Sequence, residues 1–317
     1  MSTPTLTASP LGQHRVDRVG WAALLVVWVV WGSTYLAIRV GVRTFPPFTL
    51  AAIRYLIAGA IMVPVGWRSG TPEQRVADRP GLRQWGAMVL LGALLPALGN
   101  GVVSWSELRL PSGVAALLVG TVPLWIVLAD GLLARRLPGA TRWLALVVGL
   151  VGVAVLSDAG TGAIPVAATA AALLASLSWG VGSALQSRLP IPARPLLVGG
   201  MEMLCGGVVL AVIALCRGEL FFAIGSVSNQ SWWALAYLIG PGSLLAMTCY
   251  VFALGRLTPT TVASYAFVNP VVAVLLGAVI LSETLTAGQL AGGALVVLAV
   301  GGLVAGPRRR SAPDPSY

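Results

Sequence analysis

The sequence has few charged or chemically reactive side chains. Only 9% of its 317 residues are charged, and it contains ten acidic residues and no lysine. The single histidine, His14, lies in a polar N-terminal stretch, so there is no HExxH motif and a histidine-based zinc site in the apolar part of the chain is excluded. The three cysteines lack CxxC spacing and predict neither a metal nor a redox site. We therefore expect no metal and no cofactor.

The nucleophile and nucleotide motifs of many enzymes are missing as well. The chain has no GxSxG elbow and no GxxxxGK[ST] loop, which argues against a serine hydrolase and an ATP-driven mechanism. An integral-membrane enzyme would be expected to have clustered carboxylates at one interface. The acidic residues of this chain are scattered instead. A channel usually needs a ring of repeated pore loops, and no such segment is present. An integral-membrane enzyme or a channel is the alternative to the interpretation developed below.

Long hydrophobic runs fill most of the chain. Hydrophobic residues make up 57% of it, and a bilayer core about 30 Å thick is crossed by roughly 20 mainly apolar residues in a helix. The sequence therefore predicts an all-α membrane protein with ten transmembrane helices. The predicted spans are 21–42, 46–67, 85–105, 112–134, 142–157, 164–186, 196–216, 231–254, 259–281 and 286–305.

The basic net charge of +10 is explained by membrane topology. With the N-terminus inside, fifteen arginines fall in cytoplasmic segments, while the outside loops hold only Arg43, Arg109 and Arg217. This excess follows the positive-inside rule and predicts that both termini are cytoplasmic. We expect no nucleic-acid partner.

The two halves of the chain match each other weakly at an offset of 147 to 148 residues. Trp31 falls on Trp179, and Arg54 falls on Glu202. A repeat unit of five helices is odd, so the second copy must be inverted relative to the first, which is an arrangement suited to alternating access. The predicted organisation is a cytoplasmic tail at 1–20, a first repeat at 21–157, a linker at 158–163, a second repeat at 164–305 and a cytoplasmic tail at 306–317.

Four motifs occur in order along the chain: "WGSTY" in helix 1, "AAIRY" in helix 2, "NPVVAVLLG" in helix 9 and "LSETLTAGQLAGG" before helix 10. With them the chain resembles EamA-type permeases of the drug/metabolite transporter superfamily. The resemblance implies a substrate exporter or exchanger with a central cavity built from both halves. That superfamily handles amino acids, sugars, nucleotides and drugs. The first half departs from the pattern, because "ARRLP" stands where the second half has "LSETL" around Glu283.

Four ionisable residues lie inside the predicted spans, where a charge costs roughly 2.5 to 3.5 kcal/mol on insertion scales. Arg39, near the outer end of helix 1, is expected to reach the headgroups. Asp130, near the inner surface, is expected to pair locally with Arg135 or Arg136 or to contribute to membrane topology. Arg54 and Glu202 occupy equivalent positions of the two repeats, and we hypothesise that Arg54 attracts an anionic group of a substrate, while Glu202 attracts an amine or carries a proton. A structural hydrogen bond or salt bridge is the alternative role for each.

Polar and aromatic side chains at mid-helix complete the candidate substrate site. Aromatic rings with a polar edge suit a cavity wall, although helix packing explains them equally well. Glu283 and the capping pair Thr286 and Gln289 are interpreted as structural. The predicted substrate-binding residues are Trp31, Ser33, Tyr35, Arg54, Asn100, Trp179, Ser183, Glu202, Tyr250, Tyr265 and Asn269.

These features together predict an inner-membrane permease of bacterial origin that moves a small metabolite or an amphipathic drug by alternating access. Its predicted partners are a small-molecule substrate and the lipid bilayer. The GxxxG step at 288–292 serves a homodimer or internal packing equally well.

Overall fold

The computed structural model describes residues 17–77, 79–135, 139–158 and 165–305. Its apolar helices are labelled here in chain order. They are α1 (Arg18–Gly41), α2 (Pro47–Arg68), α3 (Leu82–Ser106), α4 (Ser112–Leu133), α5 (Ala140–Asp158), α6 (Val166–Gln186), α7 (Pro195–Cys216), α8 (Asn229–Leu254), α9 (Tyr265–Leu281) and α10 (Ala287–Ala305).

Seven of these helices, α1 to α4 and α6 to α8, are long and apolar enough to cross a membrane. The other three predicted spans coincide with shorter apolar stretches in α5, α9 and α10. The predicted linker at 158–163 and the two predicted tails lie outside the described residues, apart from Asp158 and residues 17–20, which belong to or adjoin helices. The described part of the chain is therefore an all-helical, multi-pass membrane fold.

The most extensive helix contact joins α2 to α7. A Cβ atom placed on Gly59 would lie 2.5 Å from the Leu204 nitrogen, and one on Gly66 would lie 2.5 Å from the Leu197 nitrogen. Residues later in α2 thus contact residues earlier in α7, so the two helices are antiparallel. Glycine lets their backbones approach without a side chain between them, which is how many membrane helices associate.

Two bundles of three helices flank this central pair. The first bundle consists of α1, α8 and α9, and the second consists of α3, α4 and α6. α1 packs against both α8 and α9, while α6 packs against both α3 and α4. Each bundle therefore combines helices from both halves of the chain. α5 and α10 pack on each other.

π-helical turns interrupt α3 at Ala93–Gly101 and α8 at Gly240–Leu245. Pro96 and Pro241 lie in these turns, and proline has no N–H with which to continue the α-helical hydrogen bonds. Such turns occur frequently at functional sites because they free backbone carbonyls and redirect side chains.

The start of α10 has the predicted capping box. The Thr286 nitrogen donates to Gln289 Oε1 at 3.0 Å, and the Gln289 nitrogen donates to Thr286 Oγ1 at 3.2 Å. Each side chain thus satisfies a backbone N–H that has no partner inside the helix. The sequence pattern is confirmed here at the level of individual hydrogen bonds.

Candidate functional site

Three aromatic rings from the first bundle form an aromatic cluster: Trp31 of α1, Tyr250 of α8 and Tyr265 of α9. The ring centroid of Trp31 lies 5.2 Å from that of Tyr250 and 5.1 Å from that of Tyr265, and the two tyrosine rings are 5.9 Å apart. These separations are within the range at which aromatic pairs stabilise each other. All three side chains are only partly buried. They offer an apolar surface edged by hydroxyl and indole N–H groups.

Hydrogen bonds between α1 and α9 hold the aromatic cluster in place. Trp28 Nε1 donates to Ser264 Oγ at 3.1 Å. The side-chain amide nitrogen of Asn269, oriented to satisfy its hydrogen bonding, donates to the carbonyls of Trp28 and Tyr265, each at 3.2 Å. Asn269 is 8% exposed, so its polar group is satisfied between the helices, as membrane interiors require. This geometry gives Asn269 a structural function in positioning the rings.

Glu202 of α7 lies beside the aromatic cluster. It is buried, and Gln186 Nε2 at the end of α6 donates to its Oε1 at 3.0 Å. Tyr250 lies within range of electrostatic interaction with Glu202. The Oε2 atom has no hydrogen-bond partner within the described ranges. Glu202 therefore hydrogen-bonds to α6 of the second bundle, lies near Tyr250 of the first bundle and has an oxygen available for a donor.

Arg54 of α2 reaches the π-helical turn of α8. Its Nε donates to Ser243 Oγ at 3.0 Å, and its Nη2 donates to the Gly242 carbonyl at 3.5 Å. Ser243 Oγ in turn donates to the Leu238 carbonyl at 2.8 Å. The hydroxyl thus provides a hydrogen bond for a backbone carbonyl that lies just before the π-helical turn. Nη1 makes no hydrogen bond within the residues that the structure describes. Arg54 thus combines a structural contact with one donor group left for a ligand.

The α2–α7 contact fixes the spacing of Arg54 and Glu202. Because Gly207 faces Leu56 and Gly59 faces Leu204, Arg54 is level with residue 209, seven residues from Glu202. At 1.5 Å per residue this is about 10 Å along the helix axis. The two charges therefore lie at different depths and do not form an ion pair.

Tyr35 connects the aromatic cluster to Arg54 and to the second bundle. It lies within electrostatic range of Arg54, Tyr55 and Tyr265. Its ring also packs against the apolar cluster that includes Leu110. The half-buried Tyr35 side chain is thus placed between the two bundles.

The remaining predicted site residues lie away from the aromatic cluster or are used in packing. The Ser33 and Tyr237 hydroxyls are 2.6 Å apart, which joins α1 to α8. Trp179 covers Gly99, where a Cβ atom would lie 2.6 Å from the indole ring. Asn100, in the π-helical turn of α3, and Ser183 are half-buried on the second bundle. Substrate binding by all eleven predicted residues stays a prediction.

Two charged residues have partners that the sequence did not reveal. Asp130 forms a salt bridge of 2.7 Å with Arg188, two residues after the end of α6, so the expected local pairing was wrong for Arg135, while Arg136 lies outside the described residues. Arg39 donates to the backbone carbonyl of Glu107 instead of extending only toward the headgroups. Local sequence spacing could not identify either partner, because both are more than fifty residues away in the chain.

Glu283 has the structural role that was expected. Its carboxylate accepts hydrogen bonds from the Ser112 nitrogen at 3.0 Å, from Ser112 Oγ at 2.8 Å and from the Gly113 nitrogen at 3.4 Å. These donors belong to the first turn of α4, whose N–H groups lack partners within the helix. An acidic group is also favoured there by the helix dipole. Glu283 therefore ties the end of α9 to the start of α4.

Glu107 is a buried acidic residue that the sequence analysis missed. It directly follows α3 and is 0% exposed. Residues 106–111 lie between two predicted spans, in an outside loop, so the carboxyl group was not considered for the site. Its occurrence one residue after an apolar span, among only ten acidic residues, is the signal that could have identified it.

The described side chains do not form a metal site, since they contain no group of three His, Cys, Asp or Glu residues close enough to hold an ion. Aromatic, arginine and glutamate side chains instead converge inside a bundle of membrane-length helices. This combination of fold and site defines a polytopic integral membrane protein with a polar interior.

The chain belongs to the EamA-like transporter family, which matches it twice, over residues 18–158 and 167–305. It is thus a membrane transporter of that family. It is 36% identical to the uncharacterized inner membrane transporter YedA of Escherichia coli K12 over 84% of each chain. It is 26% identical to a probable terminal-alkyne amino-acid exporter of Streptantibioticus cattleyicolor, over 90% of this chain and 93% of that protein.

The fold is also found among solved structures. One crystal structure superimposes with a TM-score of 0.58 at 23% identity, covering 90% of this chain and 95% of the other. At this identity the likeness concerns the fold alone. The resemblance inferred from the four sequence motifs is confirmed by the family match.

Proposed function

We propose that this protein exports a small amino-acid-like metabolite or an amphipathic drug by alternating access and has no enzymatic activity. In this proposal ten helices cross a bacterial inner membrane as two inverted five-helix repeats, with both termini in the cytoplasm. The arginine distribution supports this orientation. The relative named as an inner membrane transporter supports the location, and the one named as an amino-acid exporter supports the direction and the substrate class.

The helix packing supports the inverted repeats. α2 and α7 hold equivalent positions in the two halves, and their backbones run antiparallel, as inversion requires. The π-helical turns of α3 and α8 are also equivalent under the repeat offset. Likewise, the contact between α1 and α9 is matched by the contact between α6 and α4. Two bundles related in this way can exchange roles on the two sides of the membrane.

The observation that carries the substrate proposal is the aromatic cluster between Glu202 and the Arg54–Tyr35 region. An amine would be attracted by the accessible oxygen of Glu202, and a carboxylate by Nη1 of Arg54. The rings of Trp31, Tyr250 and Tyr265 would contact the apolar part of the molecule, as in other apolar-walled sites with few polar groups. Because the two charges are about 10 Å apart along the helix axis, a molecule at least that long contacts both at once, whereas a small amino acid contacts one of them at a time.

A ligand-induced stability screen tests this proposal. The purified protein is heated in detergent with amino acids, sugars, nucleosides and cationic dyes. A ligand at 100 times its Kd stabilises the folded state by about 2.7 kcal/mol. We expect zwitterionic or amphipathic compounds to raise the unfolding temperature, and Trp31→Ala or Glu202→Gln to remove that shift.

The matched control is Trp233→Phe, because Trp233 is 77% exposed on α8 and far more accessible than Trp31. This variant should keep the full ligand-induced shift. The substrate class is wrong if only sugars or nucleosides stabilise the protein. The site is wrong if the shift persists undiminished in a folded Trp31→Ala protein.

A further inference from the structure

The carboxyl group of Glu107 has an unusual environment. The residue is completely buried, and neither of its carboxylate oxygens has a hydrogen-bond partner in the described part of the chain. Buried polar side chains in proteins are nearly always hydrogen-bonded, so an exception calls for a physical explanation. The transport site proposed above does not use this group.

Charged and titratable groups surround Glu107 on two sides. From α1, Arg39 donates to the Glu107 backbone carbonyl, and Tyr35 lies within electrostatic range. From the end of α9, Glu283 lies within electrostatic range, with its own oxygens already accepting hydrogen bonds from Ser112. The carboxyl group therefore faces a second carboxylate, while its nearby cation is bound to a carbonyl.

An ionised Glu107 would be unfavourable in this arrangement. A buried carboxylate without a hydrogen bond or a paired cation carries a large desolvation cost, and the protonated form avoids that cost. The like charge of Glu283 disfavours the ionised form further. The neutral acid is thus the form that this conformation accommodates.

Loss of the proton would change the preferred partner of Arg39. A guanidinium group that donates to the Glu107 carbonyl is close enough to the same residue to turn toward its carboxylate, and charge-assisted hydrogen bonds are about twice as strong as neutral ones. Arg39 follows Tyr35 by one helical turn on α1, and the same helix carries Trp31 of the aromatic cluster. A change of partner by Arg39 therefore acts on α1, the same helix that contributes Trp31 and Tyr35 to the candidate site.

We propose that Glu107 is a proton-binding site, neutral in this conformation, and that its deprotonation transfers Arg39 from the backbone carbonyl to the carboxylate. The O–H bond of the carboxyl group breaks, the proton passes to water on the side to which Glu107 opens, and the carboxylate forms an ion pair with Arg39. The proton is then the coupling ion of transport, a role that rests on the proposed function.

Infrared titration of the full-length protein in lipid vesicles tests the site with the proton as the only ligand. The C=O stretching band of a protonated carboxyl group should be present at neutral pH and disappear as the pH rises. The variant Glu107→Gln should lose the part of this band that belongs to Glu107, and Glu202→Gln should retain that part. A band that is identical in Glu107→Gln and the unmodified protein, or a Glu107 component that does not change with pH, overturns the proposal.

Two further variants keep the test decisive if Glu107→Gln fails to fold. Glu107→Asp should move the band to a different frequency while preserving its titration. Arg39→Gln should move the titration midpoint upward by about one pH unit, since it removes the cation that favours the ionised form. An unchanged midpoint in folded Arg39→Gln would show that Arg39 does not receive the carboxylate.

The infrared result is independent of the substrate screen. A titrating Glu107 band together with a screen in which no compound stabilises the protein would weaken the proposed substrate class but not the proton site. A substrate-induced shift without a titrating band would leave the transport function in place and remove the proton from it.

Discussion

Individual polar residues at mid-membrane have two different uses in this protein. Asn269 and Ser33 satisfy their hydrogen bonds within the protein, while Glu202 and Arg54 each retain an atom without a partner among the described residues. In both cases the sequence shows only a polar residue in the middle of an apolar span. Sequence alone therefore could not distinguish the structural residues from the candidate binding residues. The arrangement of partners does so, and it assigns Asn269 to the support of the site.

Replacing Asn269 by alanine should therefore reduce stability more than it reduces ligand recognition. The change removes the amide that donates to the Trp28 and Tyr265 carbonyls. Hydrogen bonds between membrane helices contribute about 0.6 to 1.7 kcal/mol each, so the unfolding temperature in detergent should fall measurably. Asn229→Ala, at an exposed position of α8, should have little effect. An unchanged unfolding temperature in Asn269→Ala would contradict the bridging role.

The elements could be predicted from sequence more completely than the site. Helix existence follows from apolar length. The predicted spans agree with the described helices to within three residues, except that the ninth helix begins six residues later than predicted, at Tyr265. The π-helical turn at Gly240–Leu245 was not predicted, because one proline is compatible with a kink, a turn or a helix start. The burial of Glu107 and the pairing of Asp130 with Arg188 were also missed, because each depends on packing between elements distant in sequence.

At the scale of elements, the contact between α2 and α7 should tolerate no side chain at Gly59. An added Cβ atom would lie 2.5 Å from the Leu204 nitrogen and 2.8 Å from its Cα, both in the backbone. Because neither atom can move away independently, Gly59→Ala should destabilise the protein by about 1 to 3 kcal/mol, as overpacking does elsewhere. Thermal unfolding in detergent measures the change.

Gly86→Ala on α3 is the matched control. No atom lies within 4 Å of its added Cβ, and alanine favours helix over glycine by about 0.5 to 1 kcal/mol. This variant should be as stable as the unmodified protein or slightly more stable. Equal losses in the two variants would mean that the backbone contact at Gly59 is not the cause.

At the scale of the whole molecule, the first bundle is connected internally and also to the second bundle. Ser33 and Tyr237 join α1 to α8, and Thr44 Oγ1 donates to Ser231 Oγ at 2.8 Å, which joins the loop after α1 to α8. The first bundle meets the second where α9 contacts the start of α4, around Glu283 and Ser112. Alternating access requires the contact between bundles to open, whereas the contacts within a bundle can persist.

A disulfide between α4 and α9 should therefore stop transport, while one between the α1–α2 loop and α8 should not. A Cβ atom on Gly113 would lie 3.3 Å from the Val274 Cα, so the two positions are in direct contact across the boundary between the bundles. With Cys205, Cys216 and Cys249 replaced by serine, oxidised Gly113→Cys/Val274→Cys protein in vesicles should lose transport of the ligand found in the stability screen. Reduction should restore it. Thr44→Cys/Ser231→Cys, within the first bundle, should transport equally well when oxidised or reduced. If the α4–α9 disulfide leaves the rate unchanged, the two bundles do not separate at this contact during transport.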